Sequence, residues 1–429
     1  MRLFLPFGGI LAILIVPFVL AGTGGWNGQR SLSAELGSSL GISAMAVLAI
    51  LVILPSRLRA LKRLGADVAV RLHRHLVPVL ISLLVGHVAL AVALQPARYG
   101  LLKFFGQPWR AQAAVASVVC LIALILLSIW RKRLRIPYAV WRALHGGLAA
   151  ATLVLAAVHT YGWHRYLTHG GGAIALVLLV ALPLGALAAL RVRRRGDSTY
   201  VLDRVVLEAG HSTTLQLRAQ DALGHSFEPG QFAWLRLAAT ATRFAEHPFS
   251  YSSSAEDPNL LSFTVRAYEG FSARVARLPV GTRFCVDGPH GGFRVRARAR
   301  GVLLIAYGIG ITPSMSILRT AADRGDTRSF VLFYANRSAP DITFSEELEQ
   351  LRVRLDVRIV HVLSKPSDDW AGERGRLTAA LMNRHLPIDL TRWDFFLCGA
   401  PAPVDSGTAA LIEMGVPPEA IHAERFVEI

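Results

Sequence analysis

Four histidines in two matched pairs constrain this chain more than any other feature. His73 and His87 lie fourteen residues apart inside one apolar stretch, and His145 and His159 lie fourteen apart inside another. At about 100° and 1.5 Å per residue, each pair falls on one helix face, about 40° short of four full turns and about 21 Å apart. Ionisable groups in membrane-spanning helices are costly and mark functional sites. Two such helices lying side by side and running the same way would set His73 opposite His145 and His87 opposite His159. Neutral imidazole is a common axial ligand of haem iron, so the four are candidate ligands for two haems. The competing reading is four separately satisfied core histidines. His75, twelve residues before His87, is turned roughly 120° off the shared face.

The surrounding sequence reads as a multi-pass membrane segment. Stretches long enough to cross a bilayer fall at roughly 4–21, 36–54, 74–94, 111–130, 144–162 and 172–190. The first resembles a cleaved leader, but Pro6 and Pro17 flank a full-length span and favour an uncleaved anchor. The chain is 53% hydrophobic, yet its formal net charge is +17. A nucleic-acid partner is set aside, because the basic residues gather at the ends of apolar segments. Arg57, Arg59, Lys62, Arg63, Arg71 and Arg74 follow the second span; Arg131, Lys132, Arg133, Arg135 and Arg142 follow the fourth. Arg191, Arg193, Arg194 and Arg195 follow the sixth. The positive-inside rule places these loops and both termini in the cytoplasm. Spans three and five then both run outward, which gives His73 and His145 the inner depth and His87 and His159 the outer. His164 and His169 fall in the outer loop GWHRYLTHGG, as solvated residues or contacts to an acceptor. Cys120, Cys285 and Cys398 show no metal-ligand spacing and no disulfide framework.

After Gly196 the texture changes. Short runs such as TTLQLRA and LSFTVRA alternate apolar and polar residues, as antiparallel strands do. From about residue 298, strand-like runs (GVLLIAY, SFVLFYA, DFFLCGA) alternate with helical ones, the pattern of a parallel α/β sheet. His247-Pro248-Phe249-Ser250-Tyr251-Ser252-Ser253 offers hydroxyls and aromatic rings that could bond and stack against a flat ring. Gly308-Ile309-Gly310-Ile311-Thr312-Pro313 follows a strand and precedes a helix, where glycines let backbone N–H groups approach a pyrophosphate. An ordinary strand-to-helix turn would also read this way.

Taken together and in this order, the paired histidines, HPFSYSS, GPHG, GIGITP, LCGAP and a near-terminal ERF resemble the ferric reductase and NADPH oxidase superfamily. The resemblance runs from His73 to Phe426. It implies a multidomain membrane protein: a six-helix transmembrane bundle with two haems over 1–196, an FAD-binding antiparallel β-barrel over 197–297 and an NAD(P)-binding α/β domain over 298–429. By the same resemblance, His247, Pro248, Phe249, Ser250, Tyr251 and Ser252 would line the isoalloxazine and ribityl part of FAD. Arg266, Gly270 and Ser272 match the stretch that holds its pyrophosphate, and a fixed guanidinium suits phosphate oxygens. Gly288 and Gly291 match the turn closing the barrel near the nucleotide. Gly308, Gly310, Thr312 and Pro313 match the NAD(P) pyrophosphate loop. Cys398 and Gly399 match the strand end beside the nicotinamide, with Cys398 close to the hydride-donating carbon; the resemblance makes Cys398, Glu424 and Phe426 the candidate catalytic residues. Glu424 and Phe426 match a terminal acidic-x-aromatic signature whose ring covers the flavin. Tyr307 stands where the family carries a small residue, and His247 stands where soluble relatives carry arginine.

The implied activity is enzymatic: electrons from cytoplasmic NADPH (NADH possible) pass through FAD and two b-type haems to an acceptor beyond a bacterial inner membrane. Arg337, at the end of the second α/β strand, is the candidate partner for a 2′-phosphate. O₂ reduction to superoxide is one implied outcome and ferric-chelate reduction the other, with a quinone third. Arg98, Arg110 or Arg165 could attract an anionic acceptor. A relay subunit for a partner protein or a haem-based sensor are the readings outside this class. No calcium loop of the EF-hand type is visible.

Overall fold

The computed structural model describes residues 32–56, 66–93, 100, 104–131, 133–163, 170–192, 198–220, 226–239, 246–267, 271–387 and 389–426. The chain divides into two compact units, Met1–Arg194 and Arg195–Ile429.

The first unit is helical. Among the described residues its helices are α1 (Leu32–Ile53), α2 (Ala66–Val88), α3 (Trp109–Trp130), α4 (Tyr138–Gly162) and α5 (Gly170–Val192). Backbone polar groups in lipid must be satisfied within the chain, and helices of this length and apolarity do so. Four described helices are long and apolar enough to cross a membrane: Ser33–Ile53, Ala69–Val92, Trp109–Trp130 and Val140–Gly162. The apolar stretch of α5 is shorter, Gly172–Ala188. The expected span at 4–21 lies outside the described residues, so five of the six expected spans are seen as helices. Helix α1 is apolar all round and forms the centre of the unit, with Ile42, Met45, Val47, Leu48 and Leu51 enclosed. Val85, Val119, Ile129 and Val177 on the other helices face outward, as lipid-facing side chains do. The closely packed pairs are α3 with α4, α1 with α2, α1 with α5, α1 with α4 and α4 with α5. The two histidine-bearing helices, α2 and α4, are not among them. A π-helical turn, Ala89–Ala93, continues α2 just past His87.

The second unit has two sheets. Strands β1 (Ser198–Glu208), β2 (Ser212–Ala219), β3 (Phe232–Leu237), β4 (His247–Ser250), β5 (Leu260–Arg266) and β6 (Arg283–His290) make an antiparallel sheet in the order β4-β3-β6-β1-β2-β5. The sheet is not a closed ladder: β4 and β5 are its edges, and the isolated bridge Tyr251–Phe263 is what joins them. The expected barrel is therefore a curled, open sheet. Its inward face buries Tyr200, Leu215, Leu235, Tyr251 and Phe263. A short helix, α6 (Phe271–Val275), covers one end.

The second sheet is parallel, in the order β10-β9-β8-β7-β11-β12. Its strands are β7 (Gly301–Tyr307), β8 (Ser329–Asn336), β9 (Val357–Leu363), β10 (Glu373–Arg374), β11 (Trp393–Gly399) and β12 (Ile421–Arg425). Helices α7 (Ile311–Asp323), α8 (Ser345–Arg354), α9 (Ala379–His385) and α10 (Pro401–Glu413) connect them. The continuous apolar runs of β7 and β11 are buried on both faces, as central parallel strands require. From β7 the chain proceeds outward to β8 and β9, then returns to β11 on the other side of β7. The order thus reverses between β7 and β11, and open α/β sheets bind ligands outside the carboxyl ends of strands at such a point.

Candidate functional site

In the helical unit the two histidine pairs meet. The ring centroids of His73 and His145 lie 6.3 Å apart, and those of His87 and His159 also lie 6.3 Å apart. Helices α2 and α4 therefore run in the same direction. His75 points outward and is exposed. His164 and His169, with Arg98 and Arg165, lie outside the described residues.

Three of the four rings have their hydrogen positions set by neighbours that sequence reading did not find. His87 Nδ1 donates to the Gly37 carbonyl at 2.7 Å, and His159 Nδ1 donates to the Arg110 carbonyl at 2.8 Å. His145 Nδ1 lies 3.1 Å from Ser128 Oγ, whose own hydrogen goes to the Leu124 carbonyl at 2.7 Å. Ser128 therefore accepts, and Nδ1 of His145 carries the hydrogen. In each neutral ring Nε2 is left with its lone pair, the state a metal-ligating imidazole needs. Helix α1 serves α2 in this way and α3 serves α4. Gly41 of α1 makes room for the His87 ring: a β-carbon there would lie 2.8 Å from His87 Nδ1.

These residues fit a bis-imidazole metal. Two metal–nitrogen bonds of about 2 Å, with about 1 Å from each nitrogen to its ring centre, set the centroids about 6 Å apart. The loose packing of α2 against α4 leaves the imidazoles to span the gap between them. Among the described residues, no group of three or more His, Cys, Asp and Glu side chains stands close enough to hold a metal by itself. The donors come two by two.

In the second unit, the predicted nucleotide residues gather at the carboxyl ends of β7 and β11. Gly308 takes a positive φ of 55°. Gly310 presses against β11 so closely that a β-carbon would lie 2.1 Å from the Cys398 carbonyl oxygen. Thr312 and Pro313 are buried in the first turn of α7, where the Thr312 hydroxyl donates to the Ile309 carbonyl; they shape the turn. Cys398 and Glu424 are register partners on β11 and β12. Gly291, at φ 101°, brings the rim of the first sheet to this point: a β-carbon there would lie 3.2 Å from Glu424 Oε1. The Phe426 N–H donates to the Gly399 carbonyl at 2.8 Å, and its ring packs on the core beside β11. Backbone held this close, with glycine in every tight position, is a cradle suited to a pyrophosphate.

Cys398 is fully enclosed. Burial pushes its thiol well above the usual range, and the Glu424 carboxylate adds to the effect. Tyr307 fills the space beside Gly399 and reaches towards Gly407, and burial pushes its phenol up to about 12. Arg337 is exposed just past β8.

The flavin segment divides. His247 stacks on Phe271 with centroids 4.3 Å apart and planes 10° from parallel, and Phe249 lies 6.1 Å from the same ring. The Ser250 hydroxyl is buried with no protein partner, an orphan that a ligand would satisfy. Pro248 pairs with Trp234 on β3. Tyr251 and Ser252 are held within the sheet itself. Tyr251 is fully enclosed and stacked on Phe227 at 3.9 Å, and the Ser252 hydroxyl bonds Thr264 at 2.9 Å inside the sheet. Their side chains point to opposite faces, as strand alternation requires: Tyr251 enters the core beside Phe263, and Ser252 meets Thr264 on the other face. Arg266 likewise pairs with Asp341 at 3.0 Å, above the Gly308 turn. Ser272 lies in α6 and Gly288 in β6, while Gly270 lies outside the described residues.

Comparison with known proteins agrees with this division. Residues 40–156 match the family model of the ferric reductase like transmembrane component, and residues 304–406 match the oxidoreductase NAD-binding domain. The ferredoxin–NAD(P)(+) reductase component of naphthalene 1,2-dioxygenase/salicylate 5-hydroxylase systems from a Ralstonia species is 31% identical over 51% of this chain and 66% of its own length. The propane 2-monooxygenase reductase component of Rhodococcus jostii is 29% identical over 50% of this chain and 59% of its own length. The chain thus spans less than two thirds of these relatives. A flavohaemoglobin structure from Malassezia yamatoensis, with bound FAD and haem, has a TM-score of 0.52 over 93% of this chain and 99% of its own. At 15% identity that likeness is one of fold.

Residues 40–156 are thus similar to a ferric-reductase-type transmembrane component and residues 304–406 to an oxidoreductase NAD-binding domain, in a chain with several apolar helices. Its ferric-reductase-type transmembrane component and NAD-binding domain together are consistent with the ferric reductase/NADPH oxidase superfamily.

Proposed function

We propose that this protein carries electrons from NADPH, by way of FAD and two b-type haems, across a bacterial inner membrane to a small one-electron acceptor. O₂, reduced to superoxide, is the acceptor assigned first. The observation that carries the reading is the meeting of four histidines as two facing pairs in the transmembrane unit. When bound, FAD supplies the change from a two-electron hydride to single electrons, and haem supplies a one-electron couple.

The chain's own residues hold and orient. His73 and His145 would hold one haem, and His87 and His159 the other. With two protein imidazoles at each site, a haem held there would have no ligand position open to O₂ and would supply one-electron transfer to an outside acceptor. His247, Phe249 and Ser250 offer a ring wall and a hydroxyl to the flavin. Gly308 and Gly310 admit the nucleotide pyrophosphate. Asp341 is engaged by Arg266 and Ser338, so Arg337 is the charge available to a 2′-phosphate, which favours NADPH over NADH. The basic loops support a cytoplasmic place for the nucleotide-binding unit.

Ferric-chelate reduction is the second reading, favoured by the match to a ferric reductase like component. Both are tested on protein purified in detergent with FAD and NADPH, following haem absorbance, dismutase-sensitive cytochrome c reduction and ferric-chelate reduction. A preparation with no Soret band overturns the haem reading. Nucleotide consumption that ignores dismutase and depends on the ferric chelate replaces O₂ by chelated iron.

A further inference from the structure

Helix α7 starts at the nucleotide turn, and its later turns meet the flavin segment, so one rod touches both. Its first residue, Ile311, follows Gly310 beside β11. Eight residues past Ile311, about 12 Å along the axis, stands Arg319. Its Nε and Nη2 donate to the two carboxylate oxygens of Glu347 in α8, at 2.6 Å and 2.5 Å. Its Nη1 donates to the Ser252 carbonyl, at the end of the flavin segment just past β4. The guanidinium carbon lies 5.0 Å from the centre of the Phe344 ring. Phe344 takes a left-handed φ of 64°, unusual for a bulky side chain, immediately before α8.

Other bonds join α7 to the same stretch. The Ala255 N–H donates to the Thr320 hydroxyl at 2.9 Å, and Arg324 pairs with Glu256 at 2.7 Å. The two ion pairs differ in weight. Arg324 and Glu256 are 54% and 46% exposed, and surface bridges of that kind contribute little. Arg319 and Glu347 are 19% and 35% exposed, bonded through two parallel contacts, and the guanidinium lies over an enclosed ring. A planar guanidinium bound to a carboxylate on one edge and a backbone carbonyl on another has little freedom to turn. Glu347 balances its charge, so what remains for Arg319 to supply is geometry. The backbone it grips lies two residues past Ser250, whose buried hydroxyl has no protein partner.

We propose that Arg319 is a positioning residue for hydride transfer, holding the flavin segment in register with the nucleotide turn through the Ser252 carbonyl and Glu347. This rests on the FAD and NADPH part of the reading above. Arg319 exchanges no proton or electron in the step; it fixes the separation that the hydride must cross. A misplacement of about 1 Å, even from a change far from the reacting atoms, can slow a step about a hundredfold.

The test uses the full chain in detergent, loaded with FAD and kept anaerobic, as Arg319→Gln, Arg319→Lys, Glu347→Gln and Arg324→Gln. Stopped-flow reduction by NADPH, and by NADPH deuterated at the transferred position, gives the limiting rate, its isotope effect and the half-saturating concentration. A second readout needs no turnover: the change in flavin absorbance when NADP⁺ binds the oxidised protein. In Arg319→Gln the limiting rate should fall by about ten- to a hundredfold, with half-saturation moved less than about twofold. Its isotope effect should be at least that of the wild type, and its NADP⁺-induced absorbance change should shrink. Arg319→Lys should recover part of both losses, and Glu347→Gln should move the same way as Arg319→Gln. Arg324→Gln, which breaks only the exposed bridge, should stay within about twofold of the wild type. An unchanged limiting rate and NADP⁺ spectrum in Arg319→Gln overturns the proposal. So does a loss that lies wholly in half-saturation, or an Arg324→Gln protein impaired as far as Arg319→Gln. Should Arg319→Gln fail to fold, Glu347→Gln decides on the same two measurements. Wild-type protein that binds no FAD, or whose flavin NADPH does not reduce, overturns the underlying reading instead.

Discussion

Ser128 receives the Nδ1 hydrogen of His145 because its own hydroxyl hydrogen is directed one turn back, to the Leu124 carbonyl. The 3.1 Å contact is therefore an acceptor contact, and it fixes both the tautomer and the rotation of the ring. Groups of this kind behind a metal-ligating histidine typically change affinity by about 10–100-fold when removed. Ser128→Ala is expected to weaken haem retention at the His73/His145 site by about tenfold, with the other site intact. Haem content per polypeptide after gel filtration, with Ser128→Thr as the control that keeps the acceptor, measures it. Equal haem in all three proteins would show that the contact does not orient a ligand.

On the opposite pair the constraint is steric. A β-carbon at Gly41 would fall 2.8 Å from His87 Nδ1 and 2.9 Å from Cε1. Gly41→Ala should rotate that ring off the line to His159 and cost the protein one haem of two. Gly37→Ala is the matched control: its β-carbon would meet Leu90 at 3.3 Å and the Ala91 backbone nitrogen at 3.8 Å, neither of them the imidazole, and its backbone carbonyl still accepts from His87. Pyridine haemochromogen assay of the two variants should give about one and about two haems per chain. The reverse result would place the outer site elsewhere.

Much of this was legible before any coordinates. The fourteen-residue spacing puts each pair on one helix face, and with the two spans running the same way by the distribution of basic loops it sets His73 opposite His145 and His87 opposite His159. The glycines of GIGITP mark a strand-to-helix turn where backbone can approach closely, but sequence did not separate a pyrophosphate loop from an ordinary turn. What sequence could not supply was the partner of each ring. Gly37, Gly41 and Ser128 are ordinary small residues in apolar helices, and only the packing of α1 on α2 and of α3 on α4 makes them neighbours of imidazoles. For Tyr251 and Ser252 the motif marks a strand, but only the packing shows that Tyr251 enters the core while Ser252 meets Thr264 on the opposite face. The bond between Arg266 and Asp341 joins positions 75 residues apart, and no local pattern announces it.

At the nucleotide site Gly310 should tolerate nothing larger. Its β-carbon would meet the Cys398 carbonyl, which is backbone in a strand paired on both sides and cannot give way. Gly310→Ala is expected to destabilise the second unit by about 1–3 kcal/mol and to raise the KM for NADPH far more than it changes flavin content. Gly308→Ala meets nothing nearer than Arg266 at 3.6 Å and should incur only the strain of its positive φ, about 1 kcal/mol. Thermal unfolding with and without NADP⁺ separates the two variants. Identical behaviour would argue against a pyrophosphate approaching at Gly310.

Asp341 links pH to the stability of the same unit. Hydrogen bonding from Ser338, with the nearby Arg266 charge, holds its carboxyl below the usual carboxylate range. A lowered folded-state value means stability that is present above the unfolded value, near pH 4, and lost as pH falls through the folded value. Asp341→Asn should therefore cost about 1–2 kcal/mol at pH 7. The gap between variant and wild type should close as pH drops below about 4. Denaturant titrations at pH 7 and at the lowest pH where both proteins remain folded test the sign. A gap that widens on acidification contradicts the assignment.

Cys398 offers a test of whether a thiol takes part in the chemistry. The side chain is fully enclosed on a strand flanked by β7 and β12, and burial together with Glu424 keeps it protonated. Thiolate, not thiol, reacts with alkylating agents, and access is needed as well. Native protein treated with iodoacetamide at pH 8 should keep its NADPH-dependent flavin reduction, and peptide mapping should find Cys398 unmodified even if Cys120 and Cys285 react. Cys398→Ala should retain turnover within about fivefold but lose about 1–2 kcal/mol of stability, as removal of a small buried side chain does. If alkylation instead reaches Cys398 in the folded protein and stops flavin reduction, the sulfur is accessible at the nicotinamide and its role is chemical.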